Sequence, residues 1–171
     1  KKVTDDTEAG HRLNPSFSQV FINYAQDKYD IKESIWEVEF SSKGNGAEQG
    51  QIGAWIGITS TNATIGTAYG FIAATDRLYR SYQEGDLRRD RTIANFAYTA
   101  AGDKTFHTST VPGYNRTVGK WRREEELALP KTNQATPQNF PLLRYSDVLL
   151  MFAEAENELN GPTEDAVEAI N

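Results

Sequence analysis

Residues 139–171, NFPLLRYSDVLLMFAEAENELNGPTEDAVEAIN, hold the clearest periodicity in the chain. Tyr145, Val148, Leu149, Phe152, Ala155 and Leu159 recur at i, i+3, i+4 spacing, while Asp147, Glu154 and Glu158 share the opposite face. The spacing predicts an amphipathic helix with a buried stripe, which Leu150 and Met151 widen toward a second neighbour. Arg144 and Asp147 stand three apart and are placed to pair, and Tyr145 opens the stripe. Gly161 fits a left-handed cap, Pro162 bars continuation, and Thr163 caps a second helix carrying Ala166, Val167 and Ile170. The product is an antiparallel helix hairpin of the kind that helical repeats stack. A hairpin with this much apolar surface needs more to pack on, so the chain reads as part of a larger protein.

Working toward the N-terminus, the period changes several times. Residues 1–13 are polar and read as an entry segment. Asn14-Pro15-Ser16 opens a helix spanning 14–30, with Phe17, Val20, Phe21 and Tyr24 on one face and Ser16 as cap. In ESIWEVEF, Trp36, Val38 and Phe40 alternate with Glu37 and Glu39, which predicts a short strand with Trp36 in the core phase. Residues 31–140 are otherwise loop-rich. Gly44 to Gly70 holds seven of the thirteen glycines, yet Trp55, Ile56, Ile58, Tyr69 and Phe71 are too apolar for a disordered tract and predict an ordered loop. TDRLYRSYQEGD reads as a short helix capped by Thr75 or Asp76 and stopped by Gly85, and Thr92, Ile93, Phe96 and Tyr98 suit an extended segment. From Ala100 to Pro141 the sequence is mostly loop, broken by prolines and glycines.

The balance of charge narrows the function classes. A formal net charge of -6 and a pI near 5.0 argue against a nucleic-acid surface, which needs a basic stripe. Arg88, Arg89 and Arg91 are interleaved with Asp86 and Asp90 and read as ion pairs that lock a turn. No apolar run approaches the roughly 18 residues of a membrane span. There is no cysteine, hence no disulfide framework and no thiolate metal site. His11 and His107 lack metal-ligand spacing, and neither a metal nor a cofactor is expected.

Catalytic candidates are few. Glu37 and Glu39 share one side of a strand, a conceivable acid and base pair, though glutamates on the open face of a strand need no catalytic reason. No phosphate loop, nucleophile elbow or zinc motif occurs. Binding has the better support. Aromatic rings stack on the apolar faces of sugars while amides satisfy the hydroxyls, so Trp55 and Tyr69, with Asn62 and Gln51 as polar partners, make a candidate sugar platform. The alternative is that Trp55 plugs a core beneath its own loop. Trp36 and Trp121 read as core residues, and Arg89, Asp90, Arg144 and Asp147 as structural ones.

Four stretches, ESIWEVEFSSKGN, LYRSYQEGDLRRDRTI, GKW and FPLLRYSDVLLMFAEAENELNG, together resemble the SusD/RagB outer-membrane lipoproteins, in the expected order over residues 11–171. The resemblance implies a mainly α fold of tetratricopeptide-like hairpins with a large irregular ligand-presenting region and a few short strands. It implies one domain of which residues 1–171 are a C-terminal portion: a helix at 14–30, a loop-rich region at 31–140 and a truncated hairpin at 141–171. It also implies a cell-surface protein of Gram-negative bacteria that captures oligo- or polysaccharides without cleaving them. Such a protein delivers its cargo to a SusC-like TonB-dependent transporter and is held at the outer membrane by a lipid anchor absent from this chain. The alternatives within the same family are a helical scaffold that contacts the transporter and a peptide-binding member.

Overall fold

A computed structural model of the chain describes residues 4, 8–41, 49–131 and 134–170. Residues 1–3 and 5–7 of the polar entry segment and residues 42–48, which open the glycine-rich stretch, lie outside the described residues. In chain order the elements are helix α1 (Phe17–Ala25), strand β1 (Ser34–Val38), and helices α2 (Ile52–Ile56), α3 (Asp76–Ser81) and α4 (Arg89–Thr92). Strands β2 (Phe96–Tyr98) and β3 (Lys104–Phe106) follow, then two 3-10 turns (Gly113–Asn115 and Arg123–Glu125), strand β4 (Phe140–Arg144) and helices α5 (Tyr145–Asn160) and α6 (Glu164–Ile170). The fold is helix-rich with a few short strands, and it divides into two compact units.

The first unit comprises residues 1–15, 29–38 and 140–171. Its ribbon pairs β1 with β4 antiparallel, Ser34 opposite Arg144 and Val38 opposite Phe140, with irregular register around Trp36. Glu33 is buried beside this ribbon, where a carboxylate survives only with partners. It accepts from the Asn14 N–H at 3.0 Å and lies 3.6 Å from the Arg144 guanidinium. Asp147 accepts from the Arg144 N–H at 2.8 Å and thereby caps α5. Its carboxylate is also 3.7 Å from Arg144 Nε, so the pairing expected from the three-residue spacing is present. His11 stacks on Tyr145 with centroids 5.9 Å apart, a packing role.

Helix α5 ends where expected, with Gly161 at φ 80°. Thr163 Oγ1 accepts from the Ala166 N–H at 3.3 Å to start α6. The buried positions of the two helices are Ala153 and Ala166, small side chains that permit close approach. The expected stripe is only partly covered: Val148, Leu149 and Phe152 are half-buried, whereas Leu150, Met151, Ala155 and Leu159 are exposed.

Trp36 requires a correction, because it is 64% exposed and not core. A two-stranded ribbon covers one face at best, and here the inward phase is that of Glu33 and Ile35. The ion pair of Glu33, invisible to a reading by hydrophobic alternation, selects that phase.

The second unit comprises residues 16–28 and 39–139. Ser16 caps α1 by accepting from the Gln19 N–H, and the helix then presents Val20, Phe21 and Tyr24 to Trp121. Phe21 meets Trp121 edge-on at 6.0 Å and 87°, and Phe17, Ile52, Ile56 and Val118 surround the cluster. Burial of each such ring contributes about 1.5–3 kcal/mol. Helix α1 stops at Ala25 instead of reaching residue 30, since Asp27 takes a left-handed φ of 54°. Helix α3 has the expected Thr75 cap but ends at Ser81, ahead of Gly85. The segment expected to be extended from Thr92 begins as the last turn of α4, and β2 with its antiparallel partner β3 follows.

Candidate functional site

The glycine-rich stretch of the second unit builds its outward face from backbone bonds. Helix α2 carries Trp55, whose side stands 50% exposed while Gly53 and Ala54 are buried. The chain then turns through a loop closed by reciprocal Ser60 and Ala68 bonds of 2.9 Å and returns along α2. Tyr69 N–H donates to the Ala54 carbonyl at 2.7 Å, and Phe71 N–H donates to the Trp55 carbonyl at 2.8 Å. These two bonds set Tyr69 and Phe71 against the helix that bears Trp55. The chain reverses its hand at Gly70, whose φ is 62°, and the rings of Tyr69 and Phe71 on either side of it stack at 5.2 Å and 6°. They are 39% and 71% exposed. Three aromatic rings thus stand on the surface of one short, bonded segment. Exposed rings clustered on one bonded segment make this stretch a candidate binding surface.

Trp55 and Tyr69 are brought together, and Trp55 does not plug a core beneath its loop. Gln51 stands at the N-terminal end of α2 and makes no side-chain capping bond. Asn62 is engaged within the loop: its Oδ1 accepts from Thr64 and Ile65 N–H at 2.9 and 3.2 Å, and its Nδ2 donates to the Ala100 carbonyl at 3.3 Å. Phe71, stacked on Tyr69, joins the candidate residues.

Behind the loop lies a charged core. Arg123 and Glu126 are buried together, 3.2 Å apart, with side chains about 1% exposed. Arg123 Nη1 donates to the Thr67 carbonyl at 2.7 Å and Nη2 to the Ala135 carbonyl at 3.2 Å, so one guanidinium clamps the returning loop. Gly66, at φ 96°, lies flat on that guanidinium; a Cβ there would stand 2.7 Å from its central carbon. Burial pushes the Glu126 carboxyl above its ordinary value, opposed by Arg123, the hydrogen bond from Gln138 and Lys131. Arg91, also buried, forks onto Glu125 at 2.6 and 2.7 Å. The Arg-Asp turn splits accordingly: Arg88 pairs with Asp86 and Arg89 with Asp90, but Arg91 reaches a partner 34 residues away. Trp121 is buried.

Among the described residues no group of acidic residues or histidines is arranged to hold a metal ion. No helix among them is long and apolar enough to cross a membrane. Glu37 accepts from the Ser34 hydroxyl at 2.6 Å and belongs to the first unit, whereas Glu39 belongs to the second.

Comparison with known proteins places the chain in a family. The model of the SusD family matches residues 32–171. SusD-like protein P2 of Formosa agariphila is 25% identical over 99% of this chain and 34% of its own length. A SusD homologue from Bacteroides thetaiotaomicron superposes with a TM-score of 0.75 at 27% identity, over 98% of this chain and 36% of that one. Surface glycan-binding protein A from the same organism, solved in complex with laminarihexaose, superposes with a TM-score of 0.66 at 16% identity, over 98% of this chain and 39% of that one. The chain therefore spans about a third of the length of the relatives it matches.

Proposed function

We propose, from the premise that this chain belongs to the SusD family, that it is the part of a cell-surface glycan-binding protein that presents an aromatic platform to oligosaccharides. The observation that carries the reading is the exposed set Trp55, Tyr69 and Phe71, locked by the two backbone bonds to α2. A pyranose ring has an apolar face of C–H bonds that stacks on such rings, and its hydroxyls remain for polar neighbours and water. A platform already fixed before the ligand arrives loses little entropy on binding. Gln51, at the head of α2, is the polar partner best placed by sequence, whereas Asn62 acts by holding the loop.

The wider role follows from kinship. The protein captures glycan at the outer surface, binds it without cleavage and passes it to a SusC-like TonB-dependent transporter, anchored to the outer membrane by lipid. Helices α5 and α6 form one tetratricopeptide-like hairpin in a larger single domain. Laminarin-type β-glucans are the first ligands to try, because a laminarihexaose complex and a laminarin-binding SusD-like protein share this fold. The test is calorimetric titration of laminarihexaose and of α-glucan, xylan and mannan hexasaccharides into wild type, Tyr69→Ala and Phe71→Ala. Binding of one class, weakened about tenfold in each variant, supports the platform. Peptide binding with no affinity for any glycan contradicts it.

A further inference from the structure

A second concave site lies in the same unit and shares no lining residue with the aromatic platform. Phe17, Leu78, Ser81, Tyr82, Asp86, Arg88, Thr92 and Lys120 line an open surface groove of about 410 Å³. That space accommodates a sugar residue or two, small ligand cavities beginning at about 300 Å³. Its wall combines two chemistries. Leu78 is 44% exposed, and with the rings of Phe17 and Tyr82 it forms an apolar side. The opposite chemistry is the pair Asp86 and Arg88, in which Nε and Nη2 of Arg88 donate to the two carboxylate oxygens at 3.0 and 2.7 Å. Asp86 Oδ1 also accepts from the Arg88 N–H at 2.9 Å, which fixes the carboxylate in place.

The pair retains hydrogen-bonding capacity. A guanidinium has five N–H donors, of which Arg88 gives two to Asp86, and of the carboxylate oxygens Oδ1 already accepts two bonds while Oδ2 accepts one and has room for another. The Thr92 hydroxyl lies on the wall as well, and Ser81, whose hydroxyl donates to the Leu78 carbonyl at 2.7 Å, adds an acceptor oxygen. Fixed planar polar groups beside exposed rings match a ligand that is apolar on one face and hydroxylated at its edge. A sugar ring has this form, with C–H bonds on its faces and hydroxyls around its edge.

We propose that this groove is a second saccharide-binding site, one that seats a terminal or internal sugar through Tyr82, Asp86 and Arg88. The inference rests on the reading that the protein binds glycans. Two sites on one unit raise the avidity for a polysaccharide without tightening either site.

The experiment is calorimetric titration of the full chain with the hexasaccharide bound by wild type, alongside Trp55→Ala, Arg88→Ala and Ser81→Trp. Arg88 is an exposed side chain, and Ser81→Trp fills the groove from its rim, so neither change empties a core. The proposal expects two sites in wild type, one surviving Trp55→Ala and weakened about tenfold by Arg88→Ala and by Ser81→Trp. A single site lost in Trp55→Ala and untouched by the other two overturns the second site and leaves the platform standing. A single site lost in Arg88→Ala and Ser81→Trp but kept in Trp55→Ala supports the groove and removes the platform. No binding of any hexasaccharide overturns both.

Discussion

Two neighbouring stretches of the second unit handle their large side chains in opposite ways. Residues 49–71 turn Trp55, Tyr69 and Phe71 outward, while residues 91–126 draw Arg91, Arg123 and Glu126 inward with Trp121. Ordinary preference would reverse this, with rings inside and charges outside. The difference shows where rigidity is placed. A glycine-rich loop has little side-chain mass of its own, so it takes its shape from the Arg123 clamp on Thr67 and from the bonds of Tyr69 and Phe71 to α2. The buried charges hold the loop, and the loop leaves its rings exposed.

That division of labour is broken most severely at Arg123. Arg123→Ala leaves Glu126 buried without its cation and frees the Thr67 carbonyl, and a loss of about 3–5 kcal/mol is expected by chemical denaturation. The variant should also lose glycan affinity, because the loop is released. A stable Arg123→Ala with an ordered loop would separate the two regions. Asn62→Ala tests the loop alone: it removes bonds to Thr64, Ile65 and Ala100 and should lower stability by about 1–2 kcal/mol, again read from denaturation midpoints.

The smallest effect belongs to the Arg-Asp turn. Arg88 holds Asp86 at a pKa of about 2, below its ordinary 3.8, first through the side-chain hydrogen bond and then through the Arg88 N–H. A lowered carboxylate pKa means that the unfolded chain binds the proton more readily. The contribution of this pair is therefore present above pH 3.8 and lost as pH falls toward 2. Asp86→Asn should flatten the acid limb of a thermal-stability profile slightly and leave neutral pH nearly unchanged.

Much of this was legible in the sequence where the signal is local. The α5 period with Gly161-Pro162-Thr163, and the Ser16 and Thr75 caps, specify their elements through neighbours a few residues away. Trp55 and Tyr69 stand out for a different reason, since they sit among glycines that supply no core of their own, and both are exposed. What alternation could not reveal is which face a two-stranded ribbon turns inward, and Glu33 decides that for Trp36 through Arg144. Nor does charge interleaving identify partners: Arg88 and Arg89 pair locally, but Arg91 passes over Asp90 to Glu125, whose position depends on the tertiary fold.

Exposed tryptophan in this chain is expected to bind sugar only where the loop fixes it. The most direct measurement compares Trp55→Ala with Trp36→Ala, two exposed rings in different settings, by calorimetric titration of laminarihexaose or whichever hexasaccharide wild type binds. Loss of at least about tenfold in affinity at the platform for Trp55→Ala, with wild-type behaviour in Trp36→Ala and no fall in melting temperature for either, is the predicted result. Unchanged affinity in Trp55→Ala, or loss confined to Trp36→Ala, would contradict it.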